Sequence, residues 1–352
     1  MIEHGTTVNP MNPLISIIIV NFNGKKWLAP CLDSVRAQEY KNYEIILVDN
    51  ASSDDSLEFV QKNYPEVICT KTSSNLGFAG GNNAGLPFVK GEYVYLLSND
   101  TKIEPNVLSQ FVKAFAESPK IGCVQSKLVL MNEPTLLDAC GSFWTPLGLL
   151  YHYGCRKDAS LPMYNRVMPV FSLKGASMMI KKDLIDQIGL FDDDFWCYYE
   201  ETDFCHLVWL AGYECWYYPK MTCYHAAGGT SVKYFANSFI QYHNFKNKIL
   251  SFLKNFELST LIFFFPLFLG LCCLLCITWA LTGNFACAGA VLKAFWWNIV
   301  NLPNTLKKRK SVQQMRKQSD KVIFAKTKKY PKWNYYLYLF TDITKYVDEE
   351  MT

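Results

Sequence analysis

The chain has 352 residues, enough for one large core with an appendage or for two modest domains. Hydrophobic residues make up 50%, aromatics 15% and charged residues only 19%, which excludes a disordered chain and is rich for a purely soluble enzyme. The net charge of +4 does not point to nucleic acid, and its excess gathers in the C-terminal third, a pattern that favours an anionic membrane surface. The 13 cysteines are odd in number and scattered or set in apolar runs, so neither a disulfide framework nor a zinc finger is expected. A reducing, cytoplasmic setting is expected instead. No basic segment followed by an apolar stretch opens the chain, so no secretory signal is expected.

Residues 14–20 form an apolar β-branched run closed by Asn21, Phe22, Asn23 and Gly24, a buried parallel strand ending in a turn. A helical pattern follows (Trp27, Leu28, Leu32, Val35), then a second strand over 44–48 that ends on Asp49 and Asn50. Ser52, Ser53 and Asp54 are N-cap residues for a helix through Leu57, Phe59 and Val60. Short strands are predicted over 67–69 and 93–97, the latter ending at Ser98, Asn99 and Asp100. Alternating strands and helices predict a doubly wound α/β sheet, in which ligands bind beyond the carboxyl ends of the strands. Asn21, Asp49 and Asp100 all stand at such ends.

Further strands are predicted over 170–173 and 178–180, and a helix from near Glu201 through Leu210, with Gly212 after its end. Residues 261–281 carry no charge and are long enough to cross a bilayer core. A second apolar stretch, 285–302, contains only Lys293 and precedes Lys307, Lys308, Arg309 and Lys310. Lys246, Lys248 and Lys254 stand on the other side. Basic flanks prefer the cytoplasmic face, so a helical hairpin or an in-plane amphipathic pair is expected rather than one crossing. Trp333, Tyr335, Tyr336 and Tyr338 suit an interfacial belt.

Several clusters carry chemistry. A strand-end carboxylate at Asp49 can accept hydrogen bonds from a base or ribose. Residues 75–85 place Gly77, Gly80 and Gly81 within five positions, permitting close backbone approach, with a helix N-terminus for phosphate beyond. Asp100 follows on a rigid strand end, where a carboxylate suits Mg²⁺ or Mn²⁺ bridging substrate phosphates. Asp192, Asp193, Asp194, Glu200, Glu201 and Asp203 crowd around four aromatics, and partly desolvated carboxylates raise one another's pKa, as a general base requires. One of Glu200, Glu201 or Asp203 is the expected base and the others structural. His225 precedes Gly228, Gly229 and Ser231, a small loop able to contact a diphosphate or a metal.

Together these pieces resemble the family-2 inverting glycosyltransferases of the GT-A fold, and within them the rhamnosyltransferase-like branch of surface-polysaccharide synthesis. The matching motifs run in the family's order from residue 12 to 235: 18–24, 48–52, 75–82, 97–100, 174–176, 199–203 and 225–231. The resemblance implies an α/β GT-A (Rossmann-like) nucleotide-diphospho-sugar transferase fold over 13–240, after an N-terminal extension of 1–12. A C-terminal membrane-associating helical hairpin would occupy 241–310 and a basic, aromatic tail 311–352. It assigns nucleotide-sugar binding to Asn21, Asn23, Asp49, Asn75, Gly77, Phe78, Gly81, Asn82 and Asn99, with Asp49 on the base. Lys174, Gly175 and Ala176 would lie on the acceptor side, and His225, Gly228, Gly229 and Ser231 on the diphosphate. Asp100, with His225, would hold Mg²⁺ or Mn²⁺. Asp100 matches the metal aspartate of the family's Asp-x-Asp element, whose first acid is here Ser98. Glu201 stands at the catalytic Asp of its Glu-Asp-x-Asp pattern.

The implied reaction moves a sugar, dTDP-rhamnose being the implied donor, to a glycan or polyprenyl-diphosphate-linked acceptor at the cytoplasmic face of the cell membrane. No nucleic-acid partner is expected. The competing reading is a catalytically impaired nucleotide-sugar or glycan-binding scaffold of the same fold, which the Ser98 and Glu201 departures would suit.

Overall fold

A computed structural model describes residues 12–227, 236–340 and 345–348. Gly228, Gly229 and Ser231 of the expected diphosphate loop, and most of the N-terminal extension, lie outside the described residues. The apolar run at the start becomes β1 (Ile15–Asn21), followed by α1 (Lys25–Arg36), β2 (Tyr43–Asp49), α2 (Ser56–Asn63), β3 (Ile68–Lys71), α3 (Gly77–Gly85), β4 (Tyr93–Leu97), β5 (Thr101–Ile103) and α4 (Val107–Glu117). Strands β3, β2, β1 and β4 lie side by side and parallel, with Asn21 opposite Asp49 in register. Alternation in β1 feeds two cores: Ile15, Ile17 and Ile19 face α1 and α4, while Ile18 faces the opposite layer. Two layers on a parallel sheet leave its carboxyl ends as the open edge.

Beyond β4 the sheet is mixed. After β6 (Ile121–Leu130) and β7 (Glu133–Ala139) come the hairpin β8 (Ser142–Trp144) and β9 (Leu150–His152), and the short β10 (Met168–Pro169). Strand β11 (Ser177–Lys181) inserts antiparallel between β4 and β6, and β12 (Glu214–His225) pairs parallel with β6. Helices α5 (Lys182–Ile188) and α6 (Glu200–Leu210) lie between β11 and β12. Gly212, at φ +92°, takes the left-handed turn expected after α6. Residues 170–173 are not a strand; they contribute one bridge, Ser172 to Ser142.

The C-terminal region corrects the expected boundary at 241. Helix α7 (Asn237–Asn255) packs on the sheet domain rather than in an apolar appendage, because its Lys254 is a counter-ion for the acidic run. The Lys254 ammonium, 3% exposed, bonds Asp192 at 2.7 Å and Asp203 at 2.8 Å. Asn255 adds a bond to Asp203 at 2.7 Å. Lys246 is buried and donates to the Asp194 carbonyl. The apolar exposure begins with α8 (Leu258–Leu281) and continues in α9 (Phe285–Val300), which is bent by 70° from α10 (Leu302–Met315). On α10, Lys308 pairs with Asp192 and, at 2.6 Å, with Asp194. Lys246, Lys254 and Lys308 are therefore not a membrane-facing flank. Burial alone would raise the Asp192 carboxyl, but Lys254 and Lys308 outweigh it and hold it down to about 2.

Helix α8 is long and apolar enough to cross a membrane, and only 22% of its most apolar window is covered by the rest of the chain. Phe263 is 80% exposed and Leu281 83%. After α11 (Asp320–Thr327), α12 (Trp333–Phe340) divides the aromatic tail: Trp333 is exposed, whereas Tyr335 is fully buried and donates to the Leu150 carbonyl at 2.7 Å. Tyr335 is a core residue and not part of an interfacial belt.

Removing the ammonium of Lys254 leaves the buried Asp203 without a cation and Asp192 with Lys308 alone. Lys254→Met is expected to cost about 3–5 kcal/mol of stability, read as a lowered denaturation midpoint in detergent; an unchanged midpoint would show that the cluster is not holding α7 to the domain.

Candidate active site

The carboxyl ends of β1 and β4 open into a cavity of about 440 Å³. Its floor is Asn50, Asn99 and Asp100; one wall is the start of α3, with Asn75, Gly77, Phe78 and Asn82; the other carries Lys174, Gly175, Ala176, Glu200 and Glu201. His225 closes one side and Trp196 and Tyr198 another. The expected residues Asn21, Asn23, Asp49, Gly81 and Asp203 do not line it.

Those five lie behind it. Asn21 accepts from the Asn99 amide at 2.8 Å and donates to Ser52, so it holds the β4 end in place. A Cβ on Gly24 would stand 2.2 Å from the same Asn99 amide, which explains the glycine after β1. Asn23 accepts from the Ser53 and Asp54 amides and fixes the following turn. Gly81 lets α3 rest on β1, since a Cβ there would meet Val20 at 2.6 Å. Asp203 is committed to Lys254 and Asn255. Asp49 is fully buried, and its Oδ1 has no hydrogen-bond partner among the described residues.

The glycine-rich segment is helical rather than a loop. It is α3 itself, and its first amides are already satisfied: Leu76 N–H by Asn50, Gly77 N–H by Asn75 and Ala79 N–H by the Trp196 carbonyl. Gly77 is required for another reason. Its φ is +70° and a Cβ would stand 2.0 Å from the Trp196 carbonyl oxygen. Asn50, unassigned from the sequence, ties the β2 end to this turn through both atoms of its amide.

At the far side, His225 at the end of β12 presents Nε2 to Asp100 Oδ1 at 3.4 Å. Its Nδ1 faces Asp138 Oδ2 at 2.8 Å, and Asp138 is in turn bonded by Lys174 at 2.6 Å. Burial would lower the imidazole pKa, but Asp100 and Asp138 outweigh it and raise it. Burial would likewise raise Asp138, yet Lys174 and His225 hold it well below the usual carboxylate range. Two cis ligands of an octahedral cation stand roughly 3 Å apart, so Asp100 and His225 fit one Mg²⁺ or Mn²⁺ between them. Asp138 then fixes which imidazole nitrogen is free, the carboxylate–histidine–metal arrangement. Lys174, expected on the acceptor side, spends its ammonium on Asp138. Asp138 itself went unread because it sits within a strand and belongs to no local motif.

Opposite, α6 begins with Glu200 and Glu201 after two consecutive left-handed residues, Tyr198 at φ +65° and Tyr199 at φ +72°. Such backbone persists only where surroundings over-determine it, and here Asn247 of α7 donates to the Cys197 carbonyl at 2.9 Å and the Tyr198 carbonyl at 2.6 Å. Glu200 Oε2 and Glu201 Oε2 have no partner among the described residues. Burial pushes the Glu201 carboxyl up to about 7, and burial and then the neighbouring Glu201 charge push the Glu200 carboxyl up as well. Burial thus raises both, a neighbouring carboxylate adds to it at Glu200, and the expectation fails for Asp192.

The fold is that of the GT-A class of glycosyltransferases. The chain belongs to glycosyl transferase family group 2, whose profile matches residues 93–305, more than half of it, and the glycosyl transferase family 2 profile matches 16–136. An uncharacterized glycosyltransferase of Rickettsia prowazekii is 39% identical over 190 residues, 53% of this chain and 55% of the relative. The Escherichia coli UDP-Glc:alpha-D-GlcNAc-diphosphoundecaprenol beta-1,3-glucosyltransferase is 38% identical over 88 residues, 25% of this chain and 35% of its own. The chain spans about half the length of the Rickettsia relative, as the 55% coverage shows. The crystal structure of GalNAc-T7 with UDP, GalNAc and Mn²⁺ shares the fold at a TM-score of 0.55 and 16% identity, covering 69% of this chain and 48% of that one.

Asp138→Asn is expected to weaken Mn²⁺ binding about 10- to 100-fold, measured by the free-Mn²⁺ electron paramagnetic resonance signal; wild-type affinity in the variant would remove Asp138 from the site.

Proposed function

We propose that this chain is a metal-dependent inverting glycosyltransferase that moves a sugar from a nucleotide-diphosphate donor to a hydroxyl of a glycan or lipid-linked acceptor in surface-polysaccharide synthesis. The observation that carries this reading is Glu201. Its half-buried carboxylate, with one unpartnered oxygen, lines the same cavity as the Asp100–His225 pair. The E. coli relative, named for a UDP-glucose donor and a diphosphoundecaprenol-linked acceptor, supports the donor and acceptor classes. A rhamnosyl donor carried on dTDP rests on the sequence motifs.

Glu201 holds the acceptor hydroxyl and takes its proton as that oxygen bonds to the anomeric carbon. The bond from that carbon to the diphosphate oxygen breaks, the electron pair leaves with the nucleoside diphosphate, and the configuration inverts. Asp100 and His225 would hold a divalent cation, which would supply charge neutralisation for the leaving diphosphate. Asp138 keeps His225 in register, and Asn50 and Asn75 hold the α3 wall that bounds the donor. Helix α8, with its uncovered apolar side, anchors the enzyme at the cytoplasmic face of the cell membrane; the exposed Lys293, Lys307 and Lys310 are the cations left to meet anionic headgroups.

A base with a pKa near 7 must be deprotonated to act, so kcat/KM is expected to rise with pH and level off above about 7. Glu201→Gln should lower kcat by about 100- to 10,000-fold and abolish that limb while leaving donor affinity unchanged. Near-normal turnover in Glu201→Gln would move the base elsewhere.

A further inference from the structure

A second cavity, of about 340 Å³, lies against the first, and the two share Tyr198 and Glu201 as a common wall. Its far side is built by Gln241, Asn244 and Lys248 of α7 and His152 of β9. Lys248 differs from its neighbours on the same helix. Lys254 is paired with two carboxylates and Lys246 with a carbonyl oxygen. The Lys248 ammonium has only ring faces beside it, Tyr199 at 5.5 Å and Phe245 at 5.6 Å, and no carboxylate within ion-pair distance among the described residues. A half-buried cation without a counter-ion is an unfavourable arrangement that an arriving anion relieves. Burial pushes this ammonium down to about 8, which still leaves it charged at neutral pH.

Among the described residues Glu201 is the only carboxylate lining this cavity, and the polar groups besides it and Lys248 are neutral amides, hydroxyls and an imidazole. Three residues after α7 ends, the uncovered apolar helix α8 begins. A ligand here would meet the base at one end, a cation in the middle and an apolar surface nearby.

We propose that this cavity is the acceptor subsite, and that Lys248 recognises a phosphate or diphosphate group carried by the acceptor. The assignment rests on Glu201 as the acceptor-facing base. It makes Lys248 a specificity residue, so that neutral glycans enter poorly and phosphate-bearing acceptors are held with a hydroxyl at Glu201.

The test is calorimetric binding to the full chain in detergent micelles, with EDTA present so that no cation draws phosphate to Asp100 and His225. The probes are farnesyl diphosphate, farnesol and inorganic pyrophosphate. Farnesyl diphosphate is expected to bind at least about tenfold more tightly than farnesol. Lys248→Met should lose about that factor and Lys248→Arg should keep it. Pyrophosphate binding as tightly as farnesyl diphosphate would support recognition of the phosphates alone; weaker but Lys248-dependent pyrophosphate binding would support a lipid-borne phosphate. Farnesol equal to farnesyl diphosphate in the wild type, or a folded Lys248→Met with unchanged affinity, would overturn the subsite. Neither result touches the transfer reading, which fails separately if Glu201→Gln turns over normally.

Discussion

The ion cluster around Lys254 is the constraint on which the site depends. A lone ammonium in a protein interior is strongly disfavoured; Lys254 is tolerated because Asp192 and Asp203 both reach it and Asn255 completes the carboxylate shell. Those bonds fasten α7 to the segment between residues 192 and 203. Asn247, two turns earlier on α7, then holds the carbonyls of Cys197 and Tyr198 and imposes the paired left-handed residues. Only with that turn in place do Glu200 and Glu201 open α6 facing the cavity. The helix that positions the base runs almost directly into the apolar helix α8. Whatever anchors α8 therefore also bears on the base.

The opposite wall obeys a different logic. Asp100 stands at the end of a buried parallel strand, so the sheet sets its position. His225 needs more, because an imidazole can turn and exchange tautomers. Asp138 and Lys174 supply that second tier, and burial of all but the lysine keeps the chain of contacts undiluted by water. The cavity is thus bounded by a rigid sheet edge on the side that would hold the leaving diphosphate and by a helix-supported strained turn on the side of the acceptor.

What the sequence revealed follows the physics of each signal. β1, β2 and β4 were legible because strands buried on both faces are continuous apolar runs, and their ends mark the cavity. α6 was legible from its acids and from Gly212. β6 and β12 were not, since β12 mixes aromatics with Lys220 and Pro219 and has no clean alternation. The glycines of α3 looked like a phosphate loop because the residue type reports close approach without saying what approaches; the approaching groups are β1 and the Trp196 carbonyl. Lys254 and Lys308 were assigned to a membrane face because a charge run does not name its partner. Here the partners lie 62 and 116 residues away.

The central claim is that Glu201 drives a single displacement with inversion. Its most direct measurement is NMR of the sugar released from a panel of α-linked nucleotide-diphosphate sugars in the first turnovers, before mutarotation. The account predicts that the first-formed sugar is the β anomer. A first-formed α anomer would contradict it, since retention requires either two displacements through a covalent intermediate or same-face attack within an ion pair.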